Sequence, residues 1–293
     1  MADVHYSAVG KCIYCGETNL AKGVRKFGDE HIIPLAMGGN LILDEASCDS
    51  CEKIINSQIE TPVLDREWGQ FRARRGFPTR HKKQRKEKTH VIVGCVDGTT
   101  MKVPLREYSC PVMLYKFGEA RILSGLPYGT DHLRWTASIL TDHETEMAMQ
   151  EKYPQWNKRH RLKTQPHEFA RLLAKIGYSY ATAELGYGAF TPLVTDLIRG
   201  TSDDYFLHVG GSWDMPAAVP GGDHLMNISM QFTSPTRALV ILAIRLFSAM
   251  ETPNYHAVVG AIDLTDSAHA EAWQRHIRDG KIPPPPASGI SSS

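Results

Sequence analysis

The 293-residue chain has no long apolar run, no charge imbalance and no internal repeat. The longest apolar stretch, Ala238–Ile244, has the length of a buried strand, far short of the roughly 18 residues a membrane helix needs. The opening residues, MADVHYSAVGK, lack the basic start and apolar stretch of a secretory signal. A cytoplasmic protein with no membrane partner is the expectation. The net charge of +1 excludes no partner, because charge can be segregated along a chain. Apolar residues make up 42% and charged residues 22%, which excludes disorder as the dominant state. Cysteine is scarce, with six in all. In a reducing compartment, paired cysteines point to metal rather than to disulfides.

Four of those cysteines form two C-x-x-C pairs, Cys12/Cys15 and Cys48/Cys51, with Gly16–Ser47 between them. Each pair offers two thiolates from a tight turn, and four thiolates satisfy a tetrahedral structural zinc ion. The separation is longer than in a compact zinc ribbon, so an insertion must fit between the halves. Zinc would tie together a small module that lacks a core of its own. Cys95 and Cys110 stand alone and read as small buried hydrophobes.

The insertion contains FGDEHIIPLAMGGN, Phe27 to Asn40. Ile32 and Ile33 are expected on a strand that Pro34 ends. Gly38 and Gly39 are expected to supply positive φ in a turn. Leu41–Leu43 reads as a short returning strand. A helix then starts near Ser47 or Asp49, with Ile54, Ile55 and Ile59 as its apolar stripe. The predicted order is strand, turn, strand, helix, with zinc joining the helix start to the N-terminal knuckle.

CIYCG, DEHIIPLAMGG and ASCDSCEKIIN, taken in order over roughly residues 11–64, resemble the HNH endonucleases of the cysteine-cluster type. The resemblance implies a ββα-metal fold and metal-dependent hydrolysis of phosphodiester bonds in nucleic acid, with DNA the first expectation. It implies that His31 is the general base, a role that its pKa range suits. Glu30 would be a ligand of a catalytic Mg²⁺ or another divalent ion. Adjacent strand residues point to opposite faces, so Glu30 and His31 require a bulge or bend. The last ligand would come from the helix. Glu52 stands in the family's usual ligand position, and Asn56 has the family's ligand type. Glu60 shares their helical face. Asn40 maps onto the asparagine that braces the loop before the helix. Two alternatives remain, a non-catalytic zinc-containing regulator that binds nucleic acid and an RNA-cleaving HNH protein.

Composition shifts most sharply over Arg72–His90, with nine Lys or Arg against one acid. Arg72, Arg74, Arg75, Arg80, Lys82, Lys83 and Arg85 would neutralise phosphates there. The expected organisation is a nuclease module over residues 1–70, a basic linker over 71–90, a larger domain over 91–280 and a disordered tail over 281–293. Strand signals, then helix signals, then strands again predict an α+β domain with a mainly antiparallel sheet. Gln165–Leu185 reads as an amphipathic helix with Phe169, Leu172, Leu173, Ile176 and Tyr180 on one face. Asp142–Glu146 (DHETE) reads as a solvated helix face. Sensing a ligand, homo-oligomerisation and holding DNA are all open roles for this half.

Overall fold

The computed structural model describes residues 2–20, 23, 26–78, 89–125, 135–157, 164–211 and 215–280. The chain opens with β1 (Val4–Tyr6), β2 (Gly28–His31) and β3 (Leu41–Ser47), which form a sheet in the order β1-β3-β2. β3 runs antiparallel to β2 and parallel to β1. Helix α1 (Asp49–Ile55) follows and continues as a π-helical segment, Asn56–Glu67. Pro62 lies inside that segment, where a regular α-helix would meet its ring and lack its N–H. Helix α2 (Gly69–Arg75) ends at Gly76 in the left-handed conformation.

The expected strand, turn, strand, helix order is present, with two differences. β2 stops at His31, so Ile32 and Ile33 lie in a buried bend rather than on the strand. Only Gly38 has positive φ, at +88°. Gly39 serves space instead, since a Cβ there would stand 2.1 Å from the carbonyl oxygen of Ile33. The turn folds back onto Ile33 and ends the strand early.

In the rest of the chain β4 (His90–Gly94) and β5 (Thr100–Pro104) form a hairpin. β6 (Val112–Phe117) pairs with β7 (Trp135–Leu140). Between them Arg121–Ser124 forms a short helix, α3. DHETE is the start of α4 (His143–Lys152), capped by Asp142, which accepts from the amide of Thr145. α5 (Pro166–Leu185) begins on Pro166 and ends at Gly186, as its sequence predicts. β8 (Thr191–Pro192), α6 (Thr195–Arg199), α7 (Tyr205–His208) and β9 (Val209–Gly211) lead to three long strands. These are β10 (Leu225–Ser234), β11 (Arg237–Arg245) and β12 (Tyr255–Asp263), followed by α8 (Ser267–Arg278). The sheet order is β10-β11-β12-β8, with β9 also on β12 and every pairing antiparallel. The fold is α+β, as expected.

α5 is buried on nearly all sides rather than on one face. Its backbone lies directly on the large sheet, because a Cβ on Gly177 would stand 2.9 Å from Val259 Cγ1. Another side meets the N-terminal module, where the Tyr178 hydroxyl donates to the carbonyl of Ile13 at 2.8 Å. Trp68 and Phe169 pack edge to face at 5.6 Å, both fully buried. Each such side chain contributes about 2–3 kcal/mol by leaving water. One hydrophobic core runs from Cys12 to Trp273 across the compositional boundary. The stretch read as a linker begins as helix α2, and its residues 79–88 lie outside the described residues, as does the tail 281–293.

Candidate active site

The two C-x-x-C pairs meet in space. Gly16 closes the first knuckle with φ of +75°, and its amide donates to the Cys12 carbonyl at 2.9 Å. Cys48 is the N-cap of α1, and Cys51 lies in its first turn. The four sulfurs all lie within 4.8 Å of one another, and Cys15 Sγ is 3.7 Å from Cys48 Sγ. A tetrahedral zinc ion with ~2.3 Å bonds to sulfur sets its ligands about 3.8 Å apart. The hydrogen bond with Cys51 holds the Cys12 thiol well below its usual range. That same bond, together with burial, pushes the Cys51 thiol up. The cluster fits a structural zinc ion. Cys95 and Cys110 are buried away from it, and burial pushes the Cys110 thiol up to about 11.

A cavity of about 310 Å³ is lined by His31, Glu30, Glu52, Asn56 and Glu60, together with Asp29, Asp65, Arg72 and Lys175. The β2–β3 register shifts between Gly28 and Glu30, ahead of the pair, while Glu30 and His31 themselves stand in step opposite Leu43 and Ile42. The extra residues lie on β3, where Glu45 has φ of +49° and its amide donates to Asp29 Oδ1 at 3.1 Å. Glu30 and His31 are therefore the last two residues of a strand that breaks on both sides of them. Glu52 leans on the start of that strand, with its Oε2 3.5 Å from where a Cβ of Gly28 would be. Asn56 Nδ2 donates to Glu52 Oε1 at 3.4 Å. Glu52, Asn56 and Glu60 line the cavity from one helical face, as their spacing predicts.

Sequence reasoning missed Lys175 on α5. Its ammonium donates to Glu30 Oε1 at 2.5 Å and to the carbonyl of His31, and it lies 3.5 Å from Glu60 Oε1. Glu30 and Lys175 are both buried. Burial pushes the Glu30 carboxyl up, and Lys175 opposes that rise. Burial alone would lower Lys175, but Glu30 and Glu60 outweigh it and hold the ammonium charged. Burial and the nearby charge of Glu30 push the Tyr14 hydroxyl up, and it lies 3.0 Å from Ser179 Oγ. The expected ligand set of Glu30, Glu52 and Asn56 does not fit a divalent ion as one unit, because an ammonium already sits on Glu30. Among the described residues, the cysteines are the only group of three or more His, Cys, Asp or Glu donors that converge.

Other expected site residues lie elsewhere. Asn40 does not line the cavity; its Nδ2 donates to the carbonyl of Ala2 at 2.9 Å and ties β1 to the start of β3. Arg72 is buried, with Nε donating to Ala36 O at 2.7 Å and Nη1 to Leu64 O at 2.8 Å. Arg74 donates to Tyr108 O and to Asp142 Oδ2, the latter at 2.9 Å. Backbone carbonyls and acids thus occupy Arg72 and Arg74, which the sequence assigned to phosphates. Arg75 is exposed, over the Phe71 ring. Arg80, Lys82, Lys83 and Arg85 lie outside the described residues.

No curated protein and no solved structure matches the chain. A family match covers the four-cysteine cluster, the β2 bulge and the helix wall of the cavity: residues 12–66 match the HNH endonuclease family.

Proposed function

We propose that the chain is an endonuclease that hydrolyses phosphodiester bonds in nucleic acid, with DNA the first substrate to test. The observation that carries this reading is the single cavity that gathers His31, Glu30, Glu52 and Asn56 inside the HNH-matching segment. In this reading the His31 imidazole accepts the proton of a water that attacks phosphorus. Glu30 fixes the strand end beneath it. Five carboxylates line the cavity (Asp29, Glu30, Glu52, Glu60 and Asp65) against the cations Lys175 and Arg72. An anionic phosphodiester therefore enters only with added positive charge. Mg²⁺ or another divalent ion would supply that charge, with Glu52 and Asn56 as its donors. A structural zinc ion at Cys12, Cys15, Cys48 and Cys51 completes the reading. A cytoplasmic setting belongs to it, because a four-thiolate site needs reduced cysteines. No helix among the described residues is long and apolar enough to cross a membrane.

One observation favours a second reading, a zinc-containing nucleic-acid-binding regulator without catalysis. The ion pair of Glu30 with Lys175 removes the acid that the family uses for metal. Incubating the full chain with plasmid DNA, single-stranded DNA and RNA, with Mg²⁺ or with chelator, beside His31→Ala, separates the two. Cleavage lost in His31→Ala supports the nuclease, and cleavage of RNA alone moves the substrate. Binding without cleavage under every metal condition supports the regulator. A His31→Ala variant that cuts like wild type refutes the site.

A further inference from the structure

We propose that Lys175 completes the candidate nuclease site from the far half of the chain: it is the cation of Glu30, in place of a metal ion, and the clamp that positions His31. This rests on the nuclease reading for its kinetic test, though not for its structural one.

Lysine is almost never fully buried unless it is paired, and Lys175 is 0% exposed. Its ammonium has three protons and four acceptors within 3.5 Å: Glu30 Oε1, the carbonyls of His31 and Ile32, and Glu60 Oε1. The acceptors come from two walls of the cavity, the strand end and the π-helical segment. A hinge motion at β2 would have to break the contacts to Glu30 and His31 together while Glu60 still held the ammonium. The same helix face holds the zinc knuckle, since Tyr178 donates to Ile13 O and Ser179 lies against Tyr14. Tyr14 in turn meets Glu30. Lys175, Tyr178 and Ser179 thus fix the knuckle and the catalytic strand end in one frame. Without α5, the buried carboxylate of Glu30 would have no counter-ion, so residues 12–66 alone form an incomplete site.

Lys175 has no proton left for a phosphate, so it is a positioning residue. A misplacement of about 1 Å at a reacting group costs on the order of 10²-fold in rate. The test uses the full chain and four proteins: wild type, Lys175→Met, Glu30→Gln and the double variant. Zinc content and thermal melting establish that each is folded, and Lys175→Arg serves if Lys175→Met is not. The proposal expects kcat to fall about 100-fold in Lys175→Met while KM stays within about twofold. It expects the Mg²⁺ concentration for half-maximal rate to be unchanged in Glu30→Gln. It also expects the double variant to melt higher than either single variant, because it leaves no unpaired buried charge. The His31 ring signal in an NMR spectrum of histidine-labelled protein should move in Lys175→Met. If Glu30 is instead a metal ligand, Lys175→Met frees it and the half-maximal Mg²⁺ concentration falls. Glu30→Gln would then raise that concentration tenfold or more, and the double variant would be no better than Glu30→Gln. Those results overturn the proposal. If wild type cuts nothing, the nuclease reading fails, and the melting cycle with the His31 signal still decides for or against the clamp.

Discussion

Arg72 separates a phosphate-binding surface from a structural clamp, and Arg72→Met tests which it is. Its Nε and Nη1 satisfy the carbonyls of Ala36 and Leu64, at 2.7 and 2.8 Å. Methionine keeps the stem and removes the donors. Each charge-assisted bond to a carbonyl contributes about 1.5–3 kcal/mol. The pair with Asp65 adds less than about 1 kcal/mol, since the Asp65 side chain is 60% exposed. Cavity water can reach part of what is left behind, so the expected loss is about 3–5 kcal/mol. At about 2–4 °C per kcal/mol for a chain approaching this size, Tm falls by about 6–20 °C. Arg75→Met, at an exposed position, should change stability by about 0.5 kcal/mol or less. Thermal melting of both variants is the assay, with DNA binding measured across salt concentrations. An Arg72→Met variant with wild-type Tm, whose binding has lost about one unit of salt slope, refutes the clamp and restores the phosphate contact.

Gly39→Ala should destabilise the protein by about 3 kcal/mol or more in urea melts, because its Cβ would sit 2.1 Å from Ile33 O. Gly38→Ala should cost only about 1 kcal/mol, the price of a left-handed conformation; equal costs would contradict the turn geometry. Metal analysis should find one zinc ion per chain, and Cys48→Ser or a strong chelator should remove it and lower Tm; unchanged melting would sink the structural role. Burial raises Glu67 to about 8, from an ordinary 4.5. The folded state therefore holds the Glu67 proton longer than the unfolded chain does, and stability falls as pH rises from about 4.5 to about 8. Glu67→Gln should flatten that fall and stabilise the protein by on the order of 2 kcal/mol at pH 8. A variant that keeps the wild-type pH slope would show that Glu67 is not its source.

Local signals carried much of the N-terminal reading. Cysteine spacing, the Glu30-His31 pair, the turn glycines and the Glu52–Asn56–Glu60 face each depend on neighbours within a few residues. The elements they imply are present, apart from the early end of β2. The errors share a cause. Arg72 and Lys175 both look like ordinary solvated cations, because nothing local shows that a carbonyl or a carboxylate from another element is waiting. Lys175 did leave a trace: Arg171, Lys175 and Ser179 recur at i+4 on a helix otherwise rich in Leu and Ala. Such a stripe is also the normal water face of a surface helix. Here Arg171 meets the carbonyls of Leu197 and Ile198, and Lys175 meets Glu30.

The sequence by itself determined which chemistry was available, because thiolate pairs at a knuckle spacing and an acid beside a histidine at a strand end are short-range patterns. Only the tertiary structure decided which charges were already spent. The partner of Glu30 is Lys175, 145 residues along the chain, and the face that α5 turns toward the strand end follows from how that helix packs on the large sheet.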